Sequence, residues 1–125
     1  MVKIKIIQDI KELDWLEIFL GYKCNYKCLF CFENKLRFHE KTNIVEDTMK
    51  LITDWYNLWK KFIIFSWGEP TLYKDLYLYV TFSKKIWYEK ILIHTNWTQT
   101  CNFDYLLKLH KSRLTGIIFS YHWYW

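Results

Sequence analysis

Cys24, Cys28 and Cys31 lie in the run Cys24-Asn25-Tyr26-Lys27-Cys28-Leu29-Phe30-Cys31 and make the pattern CxxxCxxC. Three thiolates on one short loop can hold three irons of a cubane [4Fe-4S] cluster and leave the fourth iron without a protein ligand, open to a substrate or cofactor. A tetrahedral zinc site would want a fourth Cys or His. Cys101 lies far downstream with no partner cysteine beside it, so it reads as a bystander thiol and a poor fourth ligand. A zinc loop stays open as the alternative. Such a loop needs a rigid element to present it, and the apolar stretch Leu16-Glu17-Ile18-Phe19-Leu20 directly before it reads as a strand.

A second motif, Phe65-Ser66-Trp67-Gly68-Glu69-Pro70-Thr71-Leu72, follows another apolar run. Gly, Pro and Thr are common in ordinary strand-to-helix turns. Together with the cysteines, however, the segment resembles the radical SAM superfamily, whose signature FSGGEPTL it matches at seven of eight positions. The resemblance implies that Cys24, Cys28 and Cys31 bind a [4Fe-4S] cluster and that S-adenosylmethionine chelates the open iron. Phe30 fills the aromatic position before the third cysteine. Trp67, Gly68, Glu69 and Pro70 occupy the turn whose backbone meets the methionine amino group in the family. Asn96 falls in Ile93-His94-Thr95-Asn96-Trp97-Thr98, similar to the family's TNG turn, and Ser120 in Phe119-Ser120-Tyr121-His122 matches a position that often bonds the cofactor ribose. Tyr121 and His122 are either further contacts or exposed loop residues; His39 and His110 read as surface residues.

The activity so implied is generation of a 5′-deoxyadenosyl radical that abstracts hydrogen from a substrate, fed by an electron donor such as flavodoxin or ferredoxin. No side chain stands out as catalytic in its own right, and the substrate is not legible. The alternatives are an inactive metal-binding remnant with an occluded pocket and a plain electron carrier. The second motif argues against a plain carrier, which needs no cofactor pocket.

The elements that must position these motifs alternate along the chain. Apolar, β-branched and aromatic runs at 16–20, 61–66, 90–95 and 116–120 read as strands. Amphipathic stretches at 43–58, 73–86 and 103–111 read as helices, the first capped by Thr42 or Asn43. Leu76, Tyr79, Val80 and Phe82 are expected on the inward face of the second helix. Met1-Val2-Lys3-Ile4-Lys5 alternates like an edge strand, an N-terminal β extension. Strand–helix alternation predicts an α/β fold with a parallel sheet and helices on its outer face. In such folds the chemistry lies at the C-terminal ends of the strands, where every polar motif here falls. The family's barrel has six βα units, so residues 1–125 are expected to form a single domain, the N-terminal part of a radical SAM core.

A length of 125 residues suits one domain, and 52% hydrophobic with 25% charged residues excludes a disordered chain. No apolar run approaches the roughly 20 residues of a membrane span, and the N-terminus lacks a signal peptide's apolar block. A cytoplasmic location is expected, where clustered cysteines mean metal or catalysis. The net charge of +5 is spread over the helices as solvated lysines, which argues against a nucleic-acid partner.

One count is abnormal. The chain has 3 glycines and 8 tryptophans, where average usage predicts roughly nine glycines. Trp67 and Trp97 replace family glycines, and Trp59 and Trp87 fall where helix ends favour a left-handed residue. Trp123 and Trp125 follow His122, where small residues are usual. Either several of these are UGA codons that the host reads as glycine, or the protein is a degenerate family member.

Overall fold

The computed structural model describes residues 15–26, 28, 31 and 44–120. The N-terminal β extension, Phe30, His39, Tyr121, His122, Trp123 and Trp125 lie outside them. The β-branched and aromatic runs form β1 (Trp15–Phe19), β2 (Phe62–Ser66), β3 (Lys90–Thr95) and β4 (Gly116–Phe119). Between them lie α1 (Val45–Asn57), α2 (Leu76–Lys85) and α3 (Phe103–Lys111), with a 3-10 turn at Pro70–Leu72. The four strands make one sheet in the order β1-β2-β3-β4. Every pair is parallel, with Ile18 opposite Phe65, Phe65 opposite Ile93 and Ile93 opposite Ile117. This is the α/β architecture of a partial barrel with helices on one face, as the strand–helix alternation predicts.

Period-two alternation decides which face the helices cover. Leu16, Ile18, Ile63, Phe65, Ile91 and Ile93 share one buried cluster with Ile52 of α1, Leu76, Tyr79 and Val80 of α2, and Leu109 of α3. Leu76, Tyr79 and Val80 are thus inward as expected, and Phe82 packs half-buried against the same cluster. The intervening strand residues, among them Glu17, Ile64, Ser66, Leu92 and His94, face the other side of the sheet. No helix described covers that side.

Strands β1 and β2 each start one residue away from the sequence reading, and both α1 and α2 start later than it has them. Helix α1 has Ile44 as its N-cap, with no side-chain cap; Thr42 and Asn43 lie outside the described residues. The Ile44 carbonyl accepts both the Thr48 N–H (3.1 Å) and the Thr48 hydroxyl (3.2 Å), while Glu46 and Asp47 meet the positive end of the helix. Helix α2 begins at Leu76, not Tyr73. Tyr73 has extended geometry (φ −92°, ψ 119°), because its hydroxyl is used elsewhere, accepting the Lys23 N–H at 2.9 Å. Among the described residues no helix is long and apolar enough to cross a membrane.

Candidate functional site

The cysteine loop leaves the C-terminal end of β1 and lies against the turn that leaves β2. Glu69 N–H donates to the Lys23 carbonyl at 2.8 Å. Gly68 sits beside it at φ 54°, and a Cβ there would stand 2.5 Å from the Lys23 oxygen and 2.9 Å from the Gly21 oxygen. Real Cβ atoms do not approach backbone so closely. Glycine at 68 is therefore dictated twice, by φ and by space.

Glu69 is fully buried. Its Oε1 accepts from Thr71 N (3.3 Å), Thr71 Oγ1 (2.5 Å) and Thr95 Oγ1 (2.5 Å). Its Oε2 accepts from Asn96 N at 2.6 Å. One carboxylate thereby joins the turn after β2 to the end of β3, and Pro70, also buried, starts the 3-10 turn that holds Thr71 in place. Burial without a cation is tolerable because neutral donors meet both oxygens.

Asn96 carries the connection onward. Its Nδ2 donates to Asn25 Oδ1 at 2.8 Å and to the Cys24 sulfur at 3.9 Å. Its Oδ1 accepts from the Thr98 hydroxyl at 2.7 Å, and Asn25 Nδ2 donates to that hydroxyl at 2.9 Å. Asn25, Asn96 and Thr98 thus close a ring that fastens the cysteine loop to the turn after β3. Ser120, just past β4, donates its N–H to the Thr95 carbonyl (2.9 Å), and its hydroxyl is 2.7 Å from His94 Nε2. On the open face of the sheet Ser66 donates to Glu17 at 2.5 Å.

Cys24 and Cys28 are half-buried, Cys31 is exposed, and all are free thiols. Cys31 N–H donates to the Cys28 carbonyl at 3.2 Å. The Cys24 sulfur accepts the Tyr26 N–H at 3.4 Å as well as the Asn96 amide, the polarity a thiolate ligand needs around it. Burial pushes the Cys24 thiol above its ordinary value, and the charges of Glu69, Cys28 and Cys31 push the same way. Among the described residues no three Cys, His, Asp or Glu side chains are gathered closely enough to hold a metal ion. The donor set of soft thiols with N–H support fits an iron–sulfur cluster; the thiols share a loop but not yet a point.

The structure brings Cys24, Gly68, Glu69, Pro70 and Asn96 into one bonded unit and sets Ser120 at its β4 side. Trp67 and Trp97 flank it, about half exposed, with the Trp67 ring edge-on to Phe19 at 6.0 Å. Cys101 is exposed and donates to the Thr98 carbonyl at 3.1 Å; His110 is exposed in the last turn of α3. The sequence reading missed Asn25, Thr71, Thr95 and Thr98 as supporting residues, and Glu17 and His94 on the open face. All six stood inside quoted segments, but only their bonds in the fold single them out.

Residues 18–121 match the family described as the Radical SAM superfamily. The chain belongs to the radical SAM superfamily. That superfamily uses a [4Fe-4S] cluster and S-adenosylmethionine. Among solved structures the chain is similar to BtrN in an open conformation, with TM-score 0.76 and 20% identity over 93% of this chain and 52% of that one. It is also similar to BtrN in complex with AdoMet and 2-DOIA, with TM-score 0.74 and 23% identity over 88% of this chain and 46% of that one. At these identities the likeness is one of fold, and the chain spans about half the length of the BtrN structures. No curated protein sequence matches it.

Proposed function

We propose that this chain is the cofactor-binding part of a radical SAM enzyme, with Cys24, Cys28 and Cys31 holding a [4Fe-4S] cluster and S-adenosylmethionine seated over the turns after β2, β3 and β4. A reduced cluster held there would supply one electron to S-adenosylmethionine, giving methionine and a 5′-deoxyadenosyl radical. The chain's own residues position and shield. Gly68 lets the turn backbone lie flat against the cysteine loop, and Glu69 fixes Thr95 and Asn96. Asn96 steadies Cys24, and Phe30 and Ser120 complete the surround by their motif positions. An external one-electron donor such as flavodoxin or ferredoxin serves the cluster. The substrate lies on the open face of the sheet, where Glu17, Ser66 and His94 point.

The observation that carries this reading is the continuous link from Glu69 through Asn96 to Cys24, which ties the metal loop to the cofactor turn. A plain electron carrier has no use for such a link. Anaerobic reconstitution should give a brown protein with about four irons per chain, and Cys28→Ala should abolish the colour. In a full-length chain with glycine at positions 67 and 97, added S-adenosylmethionine should then change the electron paramagnetic spectrum of the reduced cluster. Zinc uptake without iron would overturn the reading. A second reading, an inactive remnant, is favoured by the indoles of Trp67 and Trp97 beside the site; it predicts iron uptake with no spectral response even when both positions carry glycine.

A further inference from the structure

Among the described residues, five other than glycine have positive φ: Trp59 (65°), Trp67 (70°), Trp87 (78°), Trp97 (65°) and Arg113 (76°). Tryptophan is 8 of the 125 residues yet four of these five. Left-handed geometry drives Cβ toward the following carbonyl oxygen; glycine escapes this, Asn and Asp partly do, and a bulky side chain there is an outlier.

Two of the four sit in one recognisable motif. After α1, Trp59 N–H donates to the Tyr56 carbonyl and Lys60 N–H to the Trp55 carbonyl, at 2.9 and 3.2 Å. After α2, Trp87 N–H donates to Lys84 and Tyr88 N–H to Ser83, at 3.1 and 3.0 Å. Both are Schellman closures, and the tryptophan fills the position at which helices usually place glycine. The other two lie in tight turns. Trp67 and Gly68 are consecutive positive-φ residues, the pattern of turns dominated by Gly, Asn and Asp. Trp97 follows Asn96 at the turn after β3.

The side chains do not repay the geometry. The four tryptophans are 82%, 48%, 76% and 46% exposed, in chain order. A tryptophan kept for its ring looks different: Trp55, inside α1, packs against the core cluster. Arg113 closes α3 in the same way, its N–H donating to the His110 carbonyl and the Leu114 N–H to the Leu109 carbonyl, so one side chain at such a position is tolerable. Four indoles in a chain with only 3 glycines require a common cause.

We propose that residues 59, 67, 87 and 97 are glycine in the protein its host makes, each codon being UGA read there as glycine, and that Trp55 is a genuine UGG tryptophan. The backbone geometry carries this whether or not the cysteines hold a cluster. At 67 and 97 it leaves bare backbone on both turns beside the cysteine loop.

The test is the gene's codons together with mass spectrometry of peptides from the protein purified from its own host. UGA at all four positions, UGG at 55, and host-made peptides carrying glycine at the four are expected. UGG at any of the four, UGA at 55, or tryptophan at any of the four in the host-made peptides would overturn the proposal.

Discussion

The same exchange, tryptophan to glycine, should have opposite signs at two sites in the Trp-containing chain. Trp87 stands at φ 78° and is 76% exposed. Removing its Cβ relieves about 1–2 kcal/mol of left-handed strain. Glycine's larger loss of backbone freedom on folding returns about 0.5–1 kcal/mol, and the exposed ring forfeits little burial. Trp87→Gly should therefore raise stability by about 0.5–1 kcal/mol, which lifts the melting midpoint by roughly 2–4 °C. Trp55 sits inside α1 and packs against the core. There glycine costs about 1 kcal/mol in helix propensity, and the lost ring costs a share of the about 3–5 kcal/mol of a fully buried one. Trp55→Gly should lower stability by about 3 kcal/mol. Urea denaturation followed by far-ultraviolet circular dichroism reads both, as opposite shifts in midpoint at unchanged slope. A Trp87→Gly protein that melts lower than its parent would refute the reasoning, since it would mean that the indole makes contacts worth more than the strain.

Glu69→Ala should be among the most damaging single changes at the site. It orphans the buried Thr71 and Asn96 N–H groups at about 1–3 kcal/mol each, and the same protein should show reduced iron retention; a loss under about 1 kcal/mol in urea would count against the carboxylate as a hub. Stability should also fall in alkali. Burial raises the Tyr88 phenol above its ordinary 10.0, and burial likewise raises Tyr105. The folded state holds those protons more tightly, so stability is intact below pH 10 and drops as pH rises past it. Tyr88→Phe, which gives up only the hydrogen bond to the Ile52 carbonyl, should flatten that fall in a series of pH-dependent melts.

The strands were legible because each is a short β-branched or aromatic run whose neighbours are turns, and β3 and α3 begin and end where the pattern predicts. Where local pattern met a tertiary demand, the demand won. Tyr73 reads as helix but stays extended because its hydroxyl reaches the Lys23 N–H, 50 residues away in the chain. The ring of Asn25, Asn96 and Thr98 was invisible for the same reason, since Asn25 and Thr98 are 73 residues apart and nothing local marks them as partners. The tryptophans were the reverse case. Their anomaly was legible from glycine scarcity and helix ends alone, and the backbone at 59, 67, 87 and 97 adopts the left-handed geometry that those positions suggested.

The bond from Asn96 to the Cys24 sulfur spans 72 residues of chain. At ordinary synthesis rates of about 5–20 residues per second, that separation is roughly 4–14 s on the ribosome. Over this interval the three thiols have left the peptidyl-transferase centre while the turn that braces them has not been made. The buried carboxylate of Glu69 is in the same position, because its partners Thr95 and Asn96 follow it by 26 and 27 residues. If the thiols hold the proposed cluster, metal that reaches the loop early would meet an unbraced peptide, open to whichever soft ion arrives first. Iron delivered after β3 has docked meets a fixed one. On the proposed function, the timing of cluster loading relative to translation would follow from the distance between Cys24 and Asn96.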